Sequence, residues 1–98
     1  MYRIVYAKPT QSHIEVLAPR RQRLVFDAVD KQLQGEPTVE TRNRKRMRPN
    51  PMATWKLRIG TLRVYYDVFM EPEPTVLVVA VGIKDRNALR IGGYVVEI

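Results

Sequence analysis

The stretch Thr54-Trp-Lys-Leu-Arg-Ile-Gly-Thr-Leu-Arg-Val-Tyr-Tyr-Asp67 constrains this chain most. Apolar and polar residues alternate on both sides of Gly60-Thr61, the period-2 signature of half-buried strands. Two strands are expected, Thr54–Ile59 and Leu62–Val68, joined by a two-residue turn. Gly at the first central position supplies the positive φ of a type II′ turn, whose twist suits a hairpin. That turn sets Ile59 opposite Leu62, Arg58 opposite Arg63, Leu57 opposite Val64, Lys56 opposite Tyr65 and Trp55 opposite Tyr66. Trp55, Leu57, Ile59, Leu62, Val64 and Tyr66 then form a core face. Lys56, Arg58, Arg63 and Tyr65 form a cationic and aromatic one. Like charges placed opposite each other are mildly destabilising, so the Arg58–Arg63 pair points to an anionic ligand.

Charge says the same for the whole chain. Seventeen Lys and Arg against ten Asp and Glu leave 98 residues at +7, a balance that favours polyanions such as nucleic acid or an acidic protein. The length suits one domain, 1–98, with a single compact core. There is no cysteine, which excludes disulfides and thiolate metal sites and fits an intracellular setting. No apolar run reaches 18 residues and no signal-peptide core is present, so a soluble, cytoplasmic protein without membrane attachment is expected. No Asp, Glu, His or Cys cluster has metal-ligand spacing, and there is no Gly-rich phosphate loop. Neither a metal nor a cofactor is expected, and His13, the one histidine, reads as a packing residue.

In chain order, Tyr2–Ala7 alternates as a short strand ended by Lys8-Pro9. Thr10 or Ser12 can cap a short helix to about Leu17. Pro19 suits the first turn of a longer helix to about Gln34, with Gly35 as its stop. Phe26, Val29 and Leu33, widened by Val25 and Ala28, give that helix its apolar stripe. The run Arg42-Asn-Arg-Lys-Arg-Met-Arg48 carries five cations in seven residues. Pro49-Asn-Pro51 follows and disfavours helix, so the run is expected to be a loop whose Arg42, Arg44, Lys45, Arg46 and Arg48 meet phosphate. After a second turn at Met70–Pro74, Thr75–Ile83 reads as a well-buried strand, and Lys84 and Arg86 stand at its exit. Asn87–Arg90 reads as one helical turn, and Tyr94, Val96 and Ile98 as an edge strand after Gly92-Gly93.

The order strand, helical hairpin, basic loop, β-meander resembles the RelE/ParE toxin superfamily of bacterial toxin–antitoxin systems. Trp55-Lys-Leu-Arg-Ile-Gly60, Leu62-Arg-Val-Tyr-Tyr-Asp-Val68 and Val79-Ala-Val-Gly-Ile-Lys84 carry the likeness, together with the segment from Glu36 to Pro51. It implies an α+β fold: an antiparallel sheet, a three-stranded meander plus the N-terminal strand, with the helical hairpin packed on it.

The resemblance to RelE-like members implies a concave basic face that holds mRNA on the ribosome and promotes attack of a ribose 2′-OH on the adjacent phosphate. Such an mRNA endonuclease needs a base, cations for the developing charge, and an acid for the leaving oxygen. Lys56 matches a strand lysine able to act as base, Arg63 the family's strand arginine, and Lys84 a position where many members carry arginine. These three are the expected catalytic residues. Arg42, Arg44, Lys45, Arg46, Arg48, Arg58, Tyr65, Arg86 and Arg90 are expected to bind RNA or phosphate. The sequence departs from the pattern at Arg90, where active members often have tyrosine, and at Thr54, where a second lysine occurs. A cognate antitoxin in a hetero-oligomer is the implied protein partner. The superfamily also holds inhibitors of DNA gyrase and non-catalytic relatives, and both alternatives remain compatible with these residues.

Overall fold

The computed structural model describes residues 1–97; Ile98, assigned to the last strand by its alternation, lies outside the described residues. The elements run β1 (Arg3–Tyr6), α1 (Lys8–Glu15), α2 (Pro19–Leu33), β2 (Arg44–Arg46), β3 (Trp55–Ile59), β4 (Leu62–Phe69), β5 (Thr75–Asp85), β6 (Ala88–Ile91) and β7 (Tyr94–Val96). The β3–β4 hairpin forms in the expected register, from Ile59 opposite Leu62 to Trp55 opposite Tyr66. Gly60 has φ +59°, and among the described residues Arg86 is the one non-glycine with positive φ. A positive φ at Gly60 but not at Thr61 fits the type II′ turn.

The α+β arrangement holds, and the seven-stranded sheet is larger than the meander, N-terminal strand and C-terminal edge strand expected. Its order is β2-β3-β4-β5-β6-β7, with β1 pairing β5. Consecutive strands from β2 onward are antiparallel, whereas β1 runs parallel to β5. β1 and β6 share one edge of the long β5, β1 along Thr75–Val78 and β6 along Gly82–Asp85.

Several local expectations are corrected. The Arg42–Arg48 run is not a loop: Arg44–Arg46 form an edge strand on β3, because Leu57, Lys56 and Trp55 offer it ladder partners. Asn87–Arg90 is not helical, since Ala88–Ile91 pairs with both β5 and β7. Nor do Thr10 or Ser12 cap α1. Its cap is Ala7, Pro9 sits in the first turn, and buried Thr10 donates through Oγ1 to the Val78 carbonyl at 2.8 Å.

The main core lies between the sheet and the helices. Val25, Val29 and Leu33 of α2 are fully buried there with Leu57, Val64, Tyr66, Val76, Val78 and Val81. Phe26, placed on that stripe by its spacing, is 40% exposed and meets Tyr6 edge-on with ring centroids 5.5 Å apart. The opposite face of the sheet carries a second, smaller apolar cluster of Ala53, Tyr65, Ala80, Leu89 and Ile91. Between Tyr65 and Tyr66 the β4–β5 register shifts, with Val79 the additional residue on β5. Such a bulge bends the strand and re-aims its side chains. Here it lets Val78 and Val81 both serve the main core while Ala80 backs Tyr65.

Candidate functional site

The face away from the helices forms a groove of about 810 Å³, and its cations come from three different strands or their flanks. Alternation along the strands decides which cations face it. Lys45 of β2 stands opposite Lys56 of β3, which stands opposite Tyr65 of β4 and then Ala80 of β5. Lys84, at the exit of β5, joins them on the groove wall, as do Arg46 and Arg48. The next row holds Arg58, Arg63, Gly82, Ile91 and Tyr94.

Lys56 is the electrostatic centre. Its amine is held below the ordinary lysine value, first by burial and then by Lys84, Arg63 and Arg58 in turn. Each neighbouring positive charge disfavours the ammonium form. Arg63 is anchored for its position: Nη1 donates to the Gly60 carbonyl at 2.7 Å and to the Leu62 carbonyl at 2.9 Å. Burial and the adjacent Arg58 lower its pKa too. The Lys84 backbone N–H donates to the Thr61 carbonyl at 2.7 Å, tying the end of β5 to the hairpin turn.

Two expected phosphate ligands are placed elsewhere. Arg44 pairs with Leu57 and so points to the core side. There its guanidinium donates to the Gln32 carbonyl at 2.7 Å, to Gln32 Oε1 at 3.3 Å and to the Val39 carbonyl at 3.0 Å. Carbonyls in the last turn of a helix lack intrahelical donors, and Arg44 meets one of them at the end of α2. Arg90 sits between Leu89 and Ile91, which face the groove side, and therefore projects to the helix side. It lines a separate cavity of about 130 Å³ with His13. Arg42 and Arg86 are exposed; Arg42 precedes β2 and Arg86 occupies the β5–β6 turn with φ +57°. Arg58 is exposed beside the groove, and the Arg46 guanidinium lies 5.7 Å from the Trp55 ring centre.

The remaining walls were not anticipated from sequence. Met47, Asn50, Asn87, Leu89, Val96 and Glu97 line the groove. Asn50 shapes its own segment, its Oδ1 accepting from the Met52 and Ala53 N–H groups at 2.8 and 3.1 Å. The Leu89/Ile91 alternation was the available signal for β6, and a helical reading obscured it.

No protein-family model matches this sequence, and no curated protein matches it. A chain from the crystal structure of the toxin–antitoxin complex RelBE2 of Mycobacterium tuberculosis superposes with a TM-score of 0.72 at 25% identity, covering 85% of this chain and 98% of that one. The fold is that of a RelE-like toxin. Within this RelE-like fold, the groove lies on the sheet face opposite the helical hairpin, and Lys56, Tyr65 and Lys84 meet on it.

Proposed function

We propose that this chain is the toxin of a type II toxin–antitoxin pair and cleaves messenger RNA on the ribosome. The observation that carries the reading is Lys56, a lysine with a lowered pKa set among cations in an open groove. An amine in that setting spends more time unprotonated and can take the 2′-OH proton, while its neighbours balance charge on phosphorus. Lys84 and Lys45 stand on the groove walls to hold phosphate, and Arg63 adds charge from the adjoining row. An acidic antitoxin segment has the chemistry to cover the same lysines in the resting pair.

Induced expression followed by primer extension on translated messages tests this. The expected outcome is growth arrest with breaks aligned to codons, and arrest with intact messages would overturn the assignment. Intact messages accompanied by inhibited supercoiling would indicate a gyrase inhibitor instead.

A further inference from the structure

We propose that Tyr65 is the general acid of the cleavage, delivering its phenolic proton to the departing 5′-oxygen. The inference rests on the RNA-cleavage reading above and supplies the acid that reading lacks. Tyr65 retains only 4% of its surface, and its ring is enclosed with Ala53, Ala80 and Leu89 in the groove-side cluster. Its face is therefore closed to base stacking. The hydroxyl is different: it has no hydrogen-bond partner among the described residues. Yet among them no buried side-chain nitrogen or oxygen lacks a partner. The surface that Tyr65 keeps thus includes its hydroxyl, and that surface belongs to the groove.

Tyr66 shows the contrasting case. Its hydroxyl donates to the Pro37 carbonyl at 2.6 Å and is fully buried. Tyr65, one residue earlier on the opposite face, stands directly across from Lys56. Burial raises the phenol above its usual 10.0 against the opposing pull of Arg63, so it arrives protonated at neutral pH.

The 2′-oxygen bonds to phosphorus as its proton passes to the Lys56 amine. The bond from phosphorus to the 5′-oxygen breaks, and that oxygen takes the Tyr65 proton. The products are a 2′,3′-cyclic phosphate and a 5′-hydroxyl. Lys56 has gained one proton and Tyr65 has lost one, so exchange through water resets both, with Arg63 beside the transient phenolate.

A leaving sulfur needs no proton, which makes the assignment testable. Ribosomes programmed with a message whose scissile 5′-oxygen is replaced by sulfur are compared with the all-oxygen message, using wild type and Tyr65→Phe. The variant is expected to cleave the oxygen substrate about 10²–10⁴-fold more slowly, to bind RNA within about twofold of wild type, and to match wild type on sulfur. Equal loss on both substrates, or no loss on oxygen, overturns the assignment. A wild type that cleaves neither overturns the RNA-cleavage reading itself. Should Tyr65→Phe fail to fold, a fluorinated tyrosine at position 65 keeps the packing and makes the phenol more acidic. The high-pH decline in rate must then move toward neutral pH on oxygen and vanish on sulfur, and an unmoved decline overturns the proposal.

Discussion

In the proposed cleavage Lys56 would meet two demands that ordinarily conflict, since a base must lose its proton while a phosphate site needs positive charge. The groove separates them: Lys45, Lys84 and Arg63 carry charge, while burial first, and then repulsion from Lys84, Arg63 and Arg58, lowers the proton affinity of Lys56. Lys56→Arg distinguishes the two demands, because guanidinium stays protonated. RNA binding should remain within about threefold while cleavage falls about 10²-fold or more, measured by filter binding and single-turnover assays. Unchanged cleavage would remove Lys56 as the base. At this scale the sequence was informative wherever alternation fixed the face. Lys56, Arg58, Arg63 and Tyr65 all project where a two-residue turn puts them. Arg44 was illegible because its orientation depends on edge pairing and on a helix end distant in sequence.

Among the elements, α1 and β5 meet through a contact that responds to acid. His13 Nδ1 accepts from the Val81 backbone N–H at 3.3 Å, which requires an unprotonated Nδ1. Burial lowers the His13 pKa below its usual 6.5, so on acidification the unfolded chain takes up this proton before the folded one does. Stability from His13 is complete above that unfolded value and is lost as pH falls through the lower folded one. Thermal unfolding between pH 7.5 and 5 should show a declining midpoint that His13→Gln flattens; an identical slope in both proteins would dismiss the clasp. The long elements α2, β4 and β5 were readable from periodicity. The short strands β2 and β6 were not, because three or four residues carry too little pattern to outweigh competing local signals.

For the whole molecule, a net charge of +7 predicts RNA binding that weakens with salt. Three phosphate contacts by Lys45, Arg63 and Lys84 would give a slope of about −2 in log K against log salt for a single strand. Lys84→Gln should reduce that slope by about 0.7. A slope near zero would show that these cations do not meet phosphate. Likeness to a fold family could be read from motif order, whereas the groove could not, since its walls come from β2, β6, β7 and the segments beside them, which are distant in sequence. Gly82 lets β6 lie close against β5 beside that groove. A Cβ at this position would stand 2.5 Å from the Arg90 carbonyl oxygen and 2.8 Å from Ile91 Cγ1, so any larger residue must push β6 away from β5. Gly82→Ala should therefore lower the unfolding midpoint and weaken RNA binding together, with every lysine still in place, and unaltered binding would contradict it. The sheet acts as a calliper: one jaw carries Lys45, the other Leu89 and Val96, and the second jaw is seated on β5 by a missing methyl group.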